Sequence, residues 1–206
     1  MKINSVLSGA FLALVSTTAG AATVEFTASG TFSSSSTSEI AVGDSFSLSL
    51  VFDDGISDGF AAFPDIGLYS FTPDALSSFS INGTGFSVGP GTMSINDNSV
   101  SSTDLVNAGF SGNGQVLGSD TIDSFNFLLQ GDETTFSGKS LDVLDSSFSS
   151  TSFSFVLNGT GLVAASGSFS STSYGPLAAV PLPATGILLF AGLGGLVASR
   201  RLRKSV

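Results

Sequence analysis

Ser45-Phe46-Ser47-Leu48-Ser49-Leu50-Val51-Phe52 puts Phe46, Leu48, Leu50 and Phe52 on one side of an extended chain and mostly serine on the other. A β-strand has a side-chain period of two, whereas a helix would scatter these residues around its surface. The alternation recurs at residues 24–32, 76–81, 86–88, 93–95, 122–129, 153–157 and 162–169. Short runs of this kind, separated by Gly, Asn, Asp and Ser, predict an all-β body: an antiparallel β-sandwich, jelly-roll-like, with one face of each sheet buried. No long stretch of the body has helical periodicity, although residues 104–110 could form one turn.

Two tripeptides, Asn82-Gly83-Thr84 and Asn158-Gly159-Thr160, each join two apolar runs. Asn and Gly tolerate the positive φ that a type I′ hairpin turn demands, so both are read as hairpins. Both also match the N-glycosylation sequon, and the hairpin is the preferred reading. Residues 33–38 are a polar loop, and residues 166–179 mix a final strand with a Ser- and Gly-rich tether. The body is therefore assigned to residues 22–165.

Charge divides the chain sharply. All 16 acidic residues lie between Glu25 and Asp145, and Lys139 is the sole basic residue from Ala22 to Val180, leaving that segment at −15. Nucleic-acid binding needs clustered Lys and Arg, so nucleic acid is not an expected partner. The body holds about 160 residues, the size of one domain with a substantial core. The 19 phenylalanines supply much of its apolar area.

The two ends differ from the body. Lys2 precedes a short apolar run at residues 6–15, followed by Ala19-Gly20-Ala21. Together these predict a signal peptide over residues 1–21, with Ala19 and Ala21 at the small-residue cleavage positions and the cut after Ala21, Ala22 being the next candidate. At the other end, Val180-Pro181-Leu182-Pro183 leads into residues 184–199, which carry no charge. As a helix that run would span about 24 Å, enough to cross a bilayer with flanking residues and local thinning. Arg200, Arg201, Arg203 and Lys204 then form a cytoplasmic stop, placing the body outside the cytoplasm. The prolines hold the preceding peptide extended and accessible to a processing enzyme.

The segment 180–206 resembles the VPLPA-CTERM sorting signal, a variant of the PEP-CTERM signals of Gram-negative bacteria. The likeness rests on Val180, Pro181, Leu182, Pro183 and Ala184, the apolar run containing Ala191-Gly192-Leu193-Gly194-Gly195-Leu196, and the terminal basic cluster. It implies recognition by an exosortase, a multi-pass membrane enzyme of transpeptidase type. It further implies a place in the inner membrane, then at the cell surface or outside the cell, in association with extracellular polysaccharide and biofilm. A rival motif overlaps it: Leu182-Pro183-Ala184-Thr185-Gly186 matches LPxTG, the sortase signal of Gram-positive wall proteins. No long Pro- and Lys-rich wall-spanning segment precedes it, which favours the Gram-negative reading.

The body offers few groups for catalysis. It has no His and no Cys, excluding a Ser-His-Asp triad and imidazole or thiolate metal sites. Lys139 and Ser140 would point to opposite faces of a strand, and Lys139 reads as a solvated loop residue. Paired carboxylates could cleave sugars, but the chain has no Trp and two tyrosines for sugar platforms. The chain is therefore expected to be a non-enzymatic surface or matrix protein. An exported carbohydrate-binding or carbohydrate-cleaving protein is the alternative. No cofactor is expected, apart from calcium on Asp53, Asp54 and Asp58, which share one Gly-containing turn and supply hard oxygen ligands. The pairs Asp97/Asp104 and Asp142/Asp145 are lesser candidates, and turn-building explains every one of these acids equally well.

Overall fold

Alternating Phe and Ser become sheet along most of the body. The structure, a computed structural model, describes residues 22–97, 103–158 and 161–177. Among these residues eleven strands form: β1 (Thr23–Ser35), β2 (Ser45–Asp53), β3 (Ile66–Phe71), β4 (Ser78–Ile81), β5 (Thr84–Ser87), β6 (Gly91–Asn96), β7 (Thr103–Ser111), β8 (Val116–Leu117), β9 (Asp120–Asp132), β10 (Ser150–Leu157) and β11 (Val163–Pro176). A short 3-10 helix spans Leu141–Asp145.

Every pairing is antiparallel, and the hydrogen bonds run through one continuous sheet in the order β3-β6-β7-β9-β10-β11-β1-β2-β4-β5, with β8 paired to β9 alone. Two four-stranded up-and-down runs make up most of it: β1-β2-β4-β5 and β7-β9-β10-β11. They are joined where β11 lies against β1, with Val24 opposite Pro176.

The inward face closes on itself through phenylalanine. Phe46 of β2 stacks on Phe153 of β10 at 4.5 Å, and Phe79 of β4 stacks on Phe125 of β9 at 5.3 Å. Phe52 of β2 meets Phe71 of β3 edge-on at 4.9 Å, although the two strands lie far apart in the hydrogen-bonded order. The sheet must therefore curl until its two ends share a core. Aromatic pairs in such geometry contribute about 0.5–1.5 kcal/mol each beyond the area they bury. Two glycines make room at the seam between the runs. A Cβ on Gly30 would meet the Ser168 carbonyl oxygen at 2.0 Å, and one on Gly167 would meet that of Thr31 at 2.2 Å.

Both ends of the hydrogen-bonded order are blunted, as exposed strand edges invite association. At β3, Gly59 donates its amide to Leu68 O at 2.8 Å, and Asp58 accepts from the Leu68 amide at 2.9 Å. At β5, the Gln115 side chain accepts from the Ser87 amide and donates to the Ser87 carbonyl, at 3.0 and 2.8 Å, in place of a neighbouring strand.

The all-β, antiparallel expectation holds, and several finer expectations change. The layers come from one curled sheet, in which strands close in sequence pair within each run and β11 against β1 joins the runs, rather than a jelly-roll connection. Residues 104–110 are strand, not a helical turn: Val106, Ala108 and Phe110 point inward on β7 with the buried Asp104. The small and acidic members of that inward set disguised its period. Strand β3 went unread because its outward residues, Ile66 and Leu68, are apolar as well. Much of the expected tether at 166–179 is sheet, since β11 runs to Pro176 and pairs with β1 along that length.

Candidate functional site

The rim where β1 begins and β11 ends carries most of the acidic turns. Residues between β2 and β3 cross this rim, and Lys139 organises them. Its ammonium lies 2.7 Å from Asp58 Oδ2 and within 2.5–3.5 Å of the carbonyl oxygens of Phe60, Ala61, Phe63 and Ile66, among which its three hydrogens are shared. The Lys139 carbonyl in turn accepts from Tyr69 Oη at 2.7 Å. Both charged side chains are partly buried, at 21 % and 15 % exposure. Burial raises the Asp58 pKa, but Lys139 and the Leu68 and Phe60 amides outweigh it and hold the carboxyl below its ordinary value. Tyr69 is shifted upward by burial and by the nearby charges of Asp58 and Asp142.

This arrangement corrects the reading of Lys139 as a solvated loop lysine. Its ammonium is turned towards Asp58 and the carbonyls of the 60–66 loop. Ser140 Oγ donates to Asp142 Oδ1.

The structure does not bring Asp53, Asp54 and Asp58 to one point. Asp53 accepts from the Gly55 amide at 2.8 Å, Asp54 from the Ala22 amide at 2.8 Å, and Asp58 belongs to Lys139. Asp97 and Asp104 hold a different loop, accepting from the amides of Gly138 and Phe136 at 2.5 and 2.8 Å. Among the described residues no group of three or more His, Cys, Asp or Glu side chains is close enough to share a metal ion.

At the opposite rim, two asparagines clip strands together. Asn82 has φ 48° and Gly83 φ 83°, and Ile81 lies opposite Thr84, so the two central residues turn the β4–β5 hairpin as expected. Asn82 Oδ1 accepts from the Ser45 amide at 3.1 Å, while its own amide donates to Ser45 O at 2.9 Å. Asn158, at φ 58°, makes the same two bonds with Thr121, both at 2.9 Å. Residues 159 and 160 lie outside the described residues. The β10–β11 connection is longer than the expected hairpin, because Val156 lies opposite Val163.

Beside Asn158 opens a cleft of about 480 Å³. Ser36, Thr37, Ser38, Ser119, Asp120 and Asn158 supply polar groups, and Leu157, Leu162, Val163 and Ala164 supply apolar surface. Leu162 is 73 % exposed. Asp120 accepts from Asn158 Nδ2 at 2.7 Å and from Thr37 Oγ1 at 3.4 Å. Sequence reasoning missed this cleft, although Asp44-Ser45 before Asn82 and Asp120-Thr121 before Asn158 repeat one pattern.

Ala19, Ala21, the 180–184 motif, the 184–199 run and the cluster Arg200, Arg201, Arg203 and Lys204 lie outside the described residues. Among those described, no helix is long and apolar enough to cross a membrane. Compared with protein-family models, curated proteins and solved structures, the chain matches none.

Proposed function

We propose that the chain is an exported surface or extracellular-matrix protein, sorted and processed at its C-terminus by an exosortase-like membrane enzyme, with a structural or interaction role in exopolysaccharide or biofilm. The observation that carries this reading is the order of three signals in residues 180–204: Val180 to Ala184, the uncharged run, then the basic cluster. The signal peptide delivers the body across the inner membrane, and the apolar helix holds it there for processing.

The body supports the reading by its limits and by its ends. Val24 pairs with Pro176, so the chain enters and leaves the sheet at one rim, and three residues separate Pro176 from Val180. The folded part thus fills nearly all of the sequence between the two processing signals. Lys139 is committed to its loop, and we assign the body no catalytic role.

The cleft beside Asn158 favours a second reading, an exported carbohydrate-binding protein. Hydroxyl, carboxylate and amide groups beside exposed apolar side chains suit a sugar ring and its hydroxyls. Binding of the exported protein to its producer's own polysaccharide, lost in Asp120→Ala, would favour it. Release of sugar from the same material would instead indicate an enzyme.

Intact mass and terminal peptide mapping, in the producing strain with and without its exosortase, test the main reading. The expected mature chain starts near Ala22 and ends within 180–184 only when the enzyme is present. A new end at Thr185 joined to wall peptide would assign it to sortase. Persistence of Lys204 in both strains would leave a plain anchor and overturn the proposal.

A further inference from the structure

We infer that Asp54 is a receptor for the α-ammonium group that signal-peptide removal creates at Ala22. The inference rests on the export reading and on cleavage after Ala21. Ala22 is held at both of its backbone groups by one residue: its nitrogen donates to Asp54 Oδ1 at 2.8 Å, and its carbonyl accepts from the Asp54 amide at 3.0 Å. The next residue continues the contact as sheet, with Thr23 opposite Asp53.

Before cleavage that nitrogen is a neutral amide with one hydrogen to donate. Hydrolysis of the Ala21–Ala22 bond adds water, leaving a carboxylate on Ala21 and an amine on Ala22, which takes up a proton. The same atom becomes a cation with three donors beside a carboxylate already in place. A charge-assisted hydrogen bond of this kind is about twice as strong as a neutral one.

The surroundings suit the pairing. Lys139, the one cation of residues 22–180, is engaged with Asp58 and so does not compete for Asp54. Asp142, Asp145 and Tyr174 also lie near this part of the rim. The charges of Asp54, Asp142 and Asp145 reinforce burial in raising the Tyr174 pKa. A chain terminus usually frays unless it is tied down. Here processing itself supplies the tie, at the start of the strand that joins the two halves of the sheet.

The test uses the full chain, exported with its own signal segment, as wild type and as Asp54→Asn. Intact mass first reads the N-terminus. The rate of α-amine acetylation near neutral pH is then followed on the N-terminal peptide, which separates it from reaction at Lys139 and Lys204. Pairing keeps the amine protonated and unreactive. Acetylation should therefore be about 2- to 5-fold faster in Asp54→Asn, the range an exposed ion pair supports, and the difference should vanish in urea. Equal rates in the two folded chains that start at Ala22 would overturn the inference and leave the export reading standing. A start elsewhere would overturn both the cleavage position and the inference.

Discussion

In the run β1-β2-β4-β5, Asp44 and Ser45 open β2 and Asn82 closes β4; in the run β7-β9-β10-β11, Asp120 and Thr121 open β9 and Asn158 closes β10. Each asparagine takes positive φ and bonds the backbone of the residue 37 positions earlier, Ser45 or Thr121. Each also lies beside the aspartate that precedes that residue. Asn82 and the Ala41 amide hold the Asp44 carboxyl below its ordinary value, and Asn158 donates to Asp120 at 2.7 Å.

After the shared Asn-Gly-Thr-Gly the runs diverge. In the first, β5 starts at Thr84 and buries Phe86. In the second, β11 starts at Val163 and leaves Leu162 exposed. The difference lies in what each outgoing strand must pair with. β5 ends the hydrogen-bonded order, so its register follows its turn. β11 must match β10 and also β1 along its length, so those neighbours fix the register and the turn adapts. A local motif thus sets a backbone conformation, while the sheet decides where the following strand begins.

The largest test of this comparison lies where the two runs touch. Phe153 of β10 lies within 6.1 Å of the rings of Phe32, Phe46 and Phe79 in the first run. Phe153→Ala should cost about 3–5 kcal/mol, measured by chemical denaturation, and unfolding should stay a single transition. Two separated transitions would show that the runs are independent units rather than halves of one core.

Lys139 lies between β9 and β10 but holds the loop between β2 and β3, so it ties one run's connection to the other's. Lys139→Met should cost about 2–3 kcal/mol and speed amide exchange at residues 58–68 more than elsewhere. Part of the effect depends on pH. The Asp58 carboxyl is held below its unfolded value of about 3.9, so its contribution is present above that pH and is lost as pH falls through the lower folded value. The variant's deficit should therefore shrink in acid. Calcium binding by Asp53, Asp54 and Asp58 has its own check, because a chelator should then lower the melting temperature of the native protein at millimolar calcium.

Smallest is the pair Asn82→Ala and Asn158→Ala. Each should cost about 1–2 kcal/mol through loss of the clip and strain at positive φ. Asn→Gly should recover the strain part alone. If the β10–β11 turn is the more adaptable, Asn158→Gly should come closer to wild type than Asn82→Gly, as read by thermal melts.

Much of the sheet was legible because burial on one side imposes a period of two, which Phe46, Leu48 and Leu50 display without reference to any partner. The tight turn at Asn82-Gly83 was legible for an equally local reason. Lys139 was misread because its oxygen partners, the Asp58 carboxylate and four carbonyls, lie 73–81 residues away along the chain, where no local spacing signals them. The one clue was its isolation as the sole body cation among 16 acids. The clips left a clearer trace, a repeated Asp-Ser or Asp-Thr followed at fixed distance by Asn-Gly-Thr-Gly.

The sequence by itself determined that the body is β, which side of most strands is buried, and the order of the 180–184 motif, the uncharged run and the basic cluster. These depend on side chains adjacent or alternate along the chain. Only the tertiary structure decided that one sheet curls through a shared phenylalanine core, that β11 runs to Pro176 against β1, and that Asp54 meets Ala22. Each of those depends on strands remote in sequence finding a common register, and register is an energy of pairing and packing between segments that neither segment carries alone.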